Sequence, residues 1–391
     1  MNFPANFNPD DVTFPSLERL RARGTLKWTA YPEDVLPLWV AESDADTCPA
    51  VATAVTSSCG REHYGYPPRD TSSLTTAAAD FFRQRYSWET NPDNIFAIAD
   101  VVRGVTLAVE RFTRPGSAIV VPVPAYMPFF EVAPATGREA IFIPTHHDGP
   151  DLDALADAFA NGAGSVIVCN PNNPLGFTYT AEKLRQITDL AARYQARVIS
   201  DEIHGPVVLE GSHTPTASVS ETAAAVTITV TATSKGWNTA GLKCAQFIFN
   251  DDDAQTWRNL PHIVREGASV VGIAAATAAY RDGIAWLDNF NAILRSNRDE
   301  LARRLAEFAP EATFQPPAAS FLAWIDVSKV AGMDASDPAG WLLRHARIAL
   351  NPGVAFGAGG EGHVRLNFAT SPDILGQALD RWEAALSAAP K

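Results

Sequence analysis

The stretch Thr231-Ala-Thr-Ser-Lys235-Gly-Trp-Asn-Thr-Ala-Gly-Leu-Lys243 follows an apolar, β-branched run over residues 225–230, so Lys235 falls at the end of a predicted strand. A lysine in that position loses hydration, which lowers its pKa and leaves a neutral amine that attacks an aldehyde. Buried lysines are otherwise rare. The pattern therefore indicates a lysine that bonds covalently to a carbonyl compound, although a polar turn from strand to loop gives the same sequence.

Two further polar segments follow apolar runs at the ends of predicted strands. Cys169-Asn-Pro-Asn-Asn-Pro-Leu-Gly176 comes after the run 165–168, and Asp201-Glu-Ile-His204 comes after Val198-Ile-Ser200. In open α/β sheets the carboxyl ends of the strands form the ligand crevice. We therefore expect Asn173, Asp201 and Lys235 to converge there, although they are far apart in the sequence.

The composition excludes several classes of protein. A net charge of −13 without a run of Lys or Arg favours solubility, and argues against nucleic acid or anionic membranes as partners. Residues 1–11 have neither a basic flank nor an apolar segment of signal-peptide length, and no later segment has the length of a membrane span, so we expect a cytoplasmic protein. The four cysteines are widely spaced and the eight histidines form no zinc-type cluster, which predicts reduced thiols and no metal site.

Helical and strand-like segments alternate from about residue 68 onward, which predicts an α/β fold with helices on both faces of a mostly parallel sheet. The seven strands predicted for this sheet cover residues 94–99, 118–121, 139–143, 165–168, 197–200, 225–230 and 244–249. A long charged helix over 284–308 precedes two more strands, 318–325 and 364–368, with helices around 337–346 and 372–386. These later elements predict a smaller α+β domain.

The segments around Asn173, Asp201 and Lys235, together with Gly362-His-Val-Arg-Leu-Asn367, resemble the fold-type I pyridoxal 5′-phosphate (PLP) enzymes, the aspartate aminotransferase superfamily. The chain is similar in particular to the cystathionine β-lyase (C–S lyase) branch of the MalY/PatB type. The segments that carry this closer resemblance are Leu36-Pro-Leu-Trp-Val-Ala-Glu-Ser-Asp44, Tyr64-Gly-Tyr-Pro67, Ser200-Asp-Glu-Ile-His204 and Ser234-Lys-Gly-Trp-Asn238. The resemblance implies a fold-type I PLP-dependent transferase fold, a large PLP-binding domain over 46–285 and a small domain made of 1–45 and 286–391.

The resemblance implies a role for each of three strand-end residues. Lys235 would hold the PLP aldehyde and later remove the α-proton of the substrate. Asp201 would pair with the ring nitrogen, and Asn173 would donate to the phenolic oxygen. The ordinary alternatives are a helix cap or surface ion pair for Asp201 and a plain turn for Asn173.

Two aromatic residues are assigned to the cofactor in the same way. Tyr126 would stack on the pyridine ring, and the alternative is a core tyrosine. His204 would lie near the cofactor oxygen, where the superfamily often has a tyrosine, and the alternative is a core histidine with satisfied hydrogen bonds.

The phosphate is expected at the start of the helix that follows Asp100, where the amides of Arg103 and Gly104 would face an anion. Lys243 matches a position where relatives often place a phosphate-binding arginine, and a surface lysine is the alternative. Many relatives have a serine at the position of Ala232. Its absence requires Thr233 or Ser234 to take over that contact, or the contact is lost.

Substrate recognition is expected from two parts of the chain. Arg365 would bind the substrate carboxylate through two parallel hydrogen bonds, and a salt bridge within the small domain is the alternative. By resemblance, Tyr66, and secondarily Tyr64, would reach from the neighbouring subunit of a homodimer toward the phosphate and Lys235. Tyr66 is thereby expected to be catalytic together with Lys235.

The reaction expected from the resemblance is an α,β-elimination that releases a thiol, pyruvate and ammonia from L-cystathionine or a cysteine S-conjugate. Two alternatives stay open at this point. A conventional class I/II aminotransferase shares most of these residues, and a PLP-binding regulatory protein can use the same fold with little turnover.

Overall fold

A computed structural model describes residues 12–389 of the chain. Residues 1–11 and 390–391, which were predicted to belong to the small domain, lie outside the described residues. Residues 1–11 are also the segment for which no signal peptide was predicted. Fourteen strands are found in the described part: β1 Leu36–Pro37, β2 Ile95–Ile98, β3 Ile119–Val123, β4 Ala140–His146, β5 Gly149–Pro150, β6 Ser165–Cys169, β7 Arg197–Asp201, β8 Thr227–Ala232, β9 Ala245–Ile248, β10 Thr313–Phe314, β11 Leu322–Asp326, β12 Ile348–Ala349, β13 Asn351–Pro352 and β14 His363–Asn367.

The helices surround these strands and connect most of them. Over residues 12–389 the α-helices are α1 Leu17–Ala22, α2 Leu26–Thr29, α3 Pro49–Gly60, α4 Ser72–Tyr86, α5 Val101–Phe112, α6 Phe129–Ala135, α7 Leu152–Ala160, α8 Ala181–Arg193, α9 Glu221–Val226, α10 Asp251–Asn259, α11 His262–Arg265, α12 Val270–Asp282, α13 Ile284–Phe308, α14 Pro338–His345 and α15 Pro372–Ala388. None of them combines the length and the apolar composition that crossing a membrane requires.

The large sheet has eight strands in the order β2-β9-β8-β7-β6-β3-β4-β5. Strands β4, β3, β6, β7 and β8 pair in parallel, whereas β9 runs antiparallel to both of its neighbours. The α/β fold and the mostly parallel sheet predicted from the sequence are confirmed. The predicted number of seven strands was one too few, because the two-residue edge strand β5 follows a turn and has no periodic pattern of its own.

Helices cover both faces of this sheet, because alternate residues of each strand point to opposite sides. Ile167 and Ile199 pack in the cluster that includes α5 and α10, whereas Val166, Val168 and Val198 pack against α7 and α8. All five side chains are buried. A strand that is buried on both faces has a continuous run of apolar residues. These strands could therefore be predicted from the sequence although apolar and polar residues do not alternate in them.

One predicted strand boundary was wrong. The apolar run was expected to form a strand from residue 225, but α9 continues to Val226 and β8 begins at Thr227. Ser220 caps α9 by accepting a hydrogen bond from the amide of Ala223 at 3.0 Å, which starts a helix that the apolar composition alone does not reveal. At its other end β8 extends to Ala232, two residues beyond the predicted end, so Lys235 lies three residues after the strand.

A second, antiparallel sheet has the order β10-β11-β14-β13, and β1 pairs in parallel with β12 beside it. The helix α13 covers the predicted range 284–308 and contacts both parts of the molecule. Asn291 Nδ2 donates to Pro206 O at 3.0 Å, and Asn297 Nδ2 donates to Phe368 O at 3.0 Å. The protein thus has a large α/β part and a smaller α+β part, while the exact domain boundaries at 45/46 and 285/286 stay a prediction.

Candidate active site

Lys235 is partly buried, and its Nζ donates a hydrogen bond to Ala41 O at 2.7 Å. Burial, followed by the positive charge of Arg365, lowers the pKa of Lys235 to about 8, although the carboxylates of Asp201 and Glu42 oppose the shift. At pH 8 about half of the amine is then neutral, against less than about 1% for a lysine with an ordinary pKa. The direction of this pKa shift is the one that the sequence predicts for a lysine near a strand end.

Asp201 ends β7 and pairs in register with Cys169, the last residue of β6. Its side chain is 2% exposed, and Oδ1 accepts a hydrogen bond from Ile203 N at 3.0 Å. Burial raises the pKa of Asp201 to about 7, although that amide and Lys235 favour the charged form. No cationic side chain of residues 12–389 forms an ion pair with it, which excludes the surface ion pair, and the residues that follow it form a turn rather than a helix, which excludes the helix cap.

Arg365 is buried in the middle of β14, and both of its terminal nitrogens are bonded to the protein. Nη1 donates to Asn173 Oδ1 at 3.1 Å, and Nη2 donates to Trp39 O at 3.0 Å. The guanidinium lies 4.8 Å from the ring centre of Phe356, and its Nε has no partner among the described residues. Burial lowers the pKa of Arg365 to about 10, so it is charged at neutral pH. Because no carboxylate of the described chain pairs with it, the alternative of a structural salt bridge is excluded.

His204 is 2% exposed and lies edge-to-face against Phe321, with ring centres 6.0 Å apart. Burial, then the charges of Lys235 and Arg365, holds the pKa of His204 well below its usual range, so the imidazole is neutral. Its Nδ1 has no hydrogen-bond partner in the described part of the chain. A core histidine with satisfied hydrogen bonds, the alternative considered for this residue, is therefore not what the structure has.

Tyr126 lies beside the same group of residues. It packs edge-to-face on Phe129, with ring centres 5.6 Å apart, and burial raises the pKa of its hydroxyl, helped by the nearby charge of Asp201. Together with Asn173, which is 4% exposed, the structure thus brings six predicted residues into one neighbourhood. They are Tyr126, Asn173, Asp201, His204, Lys235 and Arg365.

At the start of α5 the predicted phosphate donors are bonded to Asp100. Its Oδ1 accepts from Arg103 N at 2.8 Å, its backbone oxygen accepts from Gly104 N at 2.9 Å, and its Oδ2 accepts from Lys243 Nζ at 2.9 Å. The prediction that the Arg103 and Gly104 amides face an anion is thus corrected, because both are occupied. The first two amides of α5 have no acceptor within the helix and are the better candidates. A phosphate contact of the half-exposed Lys243 stays a prediction.

Thr233 and Ser234 are the two candidates for the phosphate contact that a serine at position 232 would make. Thr233 is buried, and its hydroxyl already shares a 2.7 Å hydrogen bond with that of Thr239. Ser234 is partly buried next to Lys235 and stays the candidate for that phosphate contact.

Tyr64 and Tyr66 do not lie in the pocket of their own protomer. Their side chains are 65% and 95% exposed, and Tyr64 donates its hydroxyl hydrogen bond to Cys59 O at 3.1 Å. Large aromatic side chains on a surface mark contact sites when they occur together. Their predicted entry into a neighbouring subunit's site stays a prediction.

Sequence reasoning missed the backbone of residues 39–43, which we call the strap. Its five carbonyl oxygens accept hydrogen bonds from polar side chains of both parts of the molecule. The donors are Asn351 Nδ2 and Arg365 Nη2 to Trp39, Asn367 Nδ2 to Val40 and Glu42, Lys235 Nζ to Ala41, Lys27 Nζ to Glu42, and Asn238 Nδ2 to Ser43. Backbone acceptors leave no mark in a sequence, although the resemblance of 36–44 to the lyase branch had singled out this segment.

The unsatisfied groups of this site fit PLP and an amino-acid substrate. Asp201 is a buried carboxyl group without a cation, which suits a protonated ring nitrogen. The free Nδ1 of His204 suits a hydrogen bond to the cofactor, and the free Nε of Arg365 suits a substrate carboxylate. Lys235 supplies an amine of lowered pKa for the aldehyde.

The two cavities described next lie elsewhere in the described chain, away from the predicted site residues. A cavity of about 710 Å³ lies between α4 and the start of α13, and one of about 400 Å³ lies around His213. No predicted site residue lines either cavity. Among residues 12–389 no group of three His, Cys, Asp or Glu side chains is arranged to hold a metal ion.

Comparison with known proteins assigns the family. The profile described as "Aminotransferase class I and II" matches residues 33–381. The chain belongs to this family. A protein of Corynebacterium glutamicum named cystathionine beta-lyase is 48% identical over 376 residues, which cover 96% of this chain and 100% of that relative.

Two further proteins are similar over nearly the whole length of this chain. Cystathionine beta-lyase PatB of Bacillus subtilis is 31% identical, covering 96% of this chain and 100% of PatB. The crystal structure of a PLP-dependent beta-cystathionase from Corynebacterium diphtheriae superposes with a TM-score of 0.93 at 47% identity, covering 97% and 100% of the two chains. The resemblance and the fold class predicted from the sequence are thereby confirmed.

Proposed function

We propose that this protein is a PLP-dependent carbon–sulfur β-lyase of the cystathionine β-lyase type. It cleaves the bond between Cβ and sulfur in L-cystathionine or a cysteine S-conjugate and, with the uptake of one water molecule, releases a thiol, pyruvate and ammonia. The observation that carries the proposal is the convergence of an amine of lowered pKa, Lys235, with an unpaired buried carboxyl group, Asp201, and a buried guanidinium, Arg365. The lyase names of relatives at 48% and 31% identity support the choice of reaction.

When bound, PLP supplies an aldehyde that condenses with amines and a ring that takes up the electron pair left at Cα. Asp201 would hold the ring nitrogen in its cationic form. Asn173 would donate a hydrogen bond to the phenolic oxygen, and His204 would lie near the same oxygen. Tyr126 would stack on one face of the ring. The start of α5, with Ser234 and Lys243, would bind the phosphate.

Side chains of the protein then bind the substrate and transfer its protons. Arg365 holds the carboxylate and fixes the direction of the bond from Cα to hydrogen. Lys235 would remove the Cα proton with its neutral amine. Elimination also requires a proton for the leaving sulfur. Lys235, which then carries the abstracted proton, and Tyr66 of the neighbouring subunit are the two candidate donors.

The proposal includes a homodimer with shared sites, a small amino-acid substrate and a cytoplasmic location. The 95% and 65% exposure of Tyr66 and Tyr64 supports a contact across subunits. The cytoplasmic location is supported by the cysteines, all four of which are free thiols: Cys48, Cys59, Cys169 and Cys244.

The decisive experiment gives purified protein, loaded with PLP, L-cystathionine as its sole substrate. A β-lyase forms pyruvate, ammonia and a free thiol in equal amounts without an added keto acid, and Lys235→Ala abolishes all three. An aminotransferase releases no thiol in this assay, and in a second assay with an added keto acid it moves the amino group to that acid. A protein that binds PLP but forms none of these products would support the regulatory alternative and overturn the proposal.

A further inference from the structure

A buried ion pair lies next to the strap. Lys27 in α2 and Asp44, directly after the strap, have side chains that are 0% and 1% exposed, with Nζ and Oδ2 at 2.7 Å. Trp28 Nε1 donates to the other carboxylate oxygen, Oδ1, also at 2.7 Å. A buried ion pair gains little net stability over apolar residues of equal volume, whereas removal of one partner is costly. A contribution to the stability of the fold therefore does not by itself explain why the protein has this buried ion pair.

The pair also fixes the backbone at the end of the strap. Besides its ion pair, Lys27 Nζ donates to Glu42 O at 3.2 Å. The amide of Asp44 donates to Ala369 O at 2.9 Å, and Arg23 Nη1 donates to Asp44 O at 3.2 Å. Side chains from the α1–α2 region thus hold the strap from one end.

The other contacts of the strap are made with the candidate active site. Ala41 O accepts from Lys235 at 2.7 Å, and Trp39 O accepts from Arg365 at 3.0 Å. Asn238, three residues after Lys235, bonds to Ser43 in both directions, with its Oδ1 accepting from the amide at 3.1 Å and its Nδ2 donating to the carbonyl at 2.9 Å. A shift of the strap would therefore move the acceptors of both functional cations.

We propose that Lys27 and Asp44 are positioning residues of this active site. Their ion pair, with the Trp28 hydrogen bond, holds the strap so that the Ala41 and Trp39 carbonyls face Lys235 and Arg365. The pair thereby keeps water away from the Lys235 amine and orients the guanidinium that receives a carboxylate. The catalytic consequence rests on the proposed lyase function, but the positioning itself is a property of the protein without cofactor.

The test uses protein freed of PLP, so its outcome is independent of the reaction. Lysines are labelled with an amine-selective reagent over a range of pH, and the labelling midpoint of Lys235 is read by peptide mass spectrometry. In Trp28→Phe and Lys27→Met the loosened strap admits water. We expect the midpoint to rise by about one pH unit, because burial is the main cause of the low pKa. Deuterium exchange of the strap amides should accelerate about tenfold.

Arg304→Met is the matched control. Arg304 is 15% exposed and pairs with Asp380 and Glu383 between α13 and α15, so its loss removes a partly buried ion pair elsewhere. This variant should lose stability without a change at Lys235. If the Lys27→Met protein does not fold, the labelling and exchange of the Trp28→Phe protein are sufficient for the test. A folded Trp28→Phe protein with the wild-type labelling midpoint and the wild-type strap exchange would overturn the inference, whereas an absence of lyase activity would leave it standing.

Discussion

At the scale of single residues, burial moves two oppositely charged groups toward neutrality. The pKa of Asp201 rises to about 7 and that of Lys235 falls to about 8. The neutral lysine is what attack on an aldehyde and removal of a Cα proton require. The raised pKa of Asp201 reflects a missing counter-charge, which a protonated ring nitrogen provides.

Replacement of Asp201 by Asn tests its part in catalysis. Asn keeps the shape and the hydrogen bond from Ile203 N, but it cannot hold a ring nitrogen in its cationic form. We expect kcat for β-elimination to fall by about a hundredfold or more, with PLP still attached through Lys235. The exposed Asp157 in α7 provides the control, because Asp157→Asn should leave kcat unchanged.

The same residue should give the cofactor-free protein an unusual pH dependence of stability. Between pH about 4 and about 7 the folded state keeps the Asp201 proton that the unfolded state has lost, so the contribution of Asp201 to the free energy of unfolding decreases as pH rises through this window. In urea unfolding at several pH values, the wild type should therefore lose stability relative to Asp201→Asn as the pH rises. Equal slopes for both proteins would contradict the raised pKa.

At the scale of elements, α5 packs closely on the large sheet through Gly104. A Cβ at this position would lie 2.6 Å from Ile98 Cδ1 and 2.6 Å from Val230 Cγ1, and both side chains are buried. We expect Gly104→Ala to lower the free energy of unfolding by about 1–3 kcal/mol. Gly376→Ala in α15 meets nothing within 4 Å, so urea unfolding should show it to be as stable as the wild type or more stable.

The elements that the sequence predicted best have strong periodic or apolar patterns. The range of α13 was predicted without error, and α15 was predicted around 372–386 and ends at Ala388. The start of β8 was missed because a short capped helix, α9, occupies the first residues of the apolar run. Near α5 the sequence indicated a change from strand to helix, but not that the helix begins at Val101, nor that the side chain and carbonyl of Asp100 occupy the amides expected to bind phosphate.

The candidate site was predictable wherever a side chain has a distinctive chemistry. Lys235 and Asp201 were identified by their positions after apolar runs at predicted strand ends, and Arg365 by the resemblance of its segment to the family. The carbonyls of the strap could not be found in this way, since every residue type has the same backbone oxygen. The bonds of Ala41 to Lys235 and of Trp39 to Arg365 depend on tertiary structure alone.

At the scale of the whole molecule, the account requires two chains for one complete site. Lys235→Ala should be inactive, and Tyr66→Phe should be strongly impaired if Tyr66 serves the neighbouring subunit. Mixing the two variants after reversible dissociation should restore up to about a quarter of the wild-type activity, because half of the dimers are then mixed and each mixed dimer has one intact site. Unchanged low activity after verified subunit exchange would place Tyr66 outside the shared site.

The central claim is that Lys235 is the residue that binds PLP covalently. Borohydride reduction of the PLP-loaded protein, followed by proteolysis and mass spectrometry, tests it most directly. The account predicts one reduced phosphopyridoxyl group per chain, on Lys235, and none in Lys235→Ala. A label on another lysine, or a protein that takes up no PLP, would contradict it.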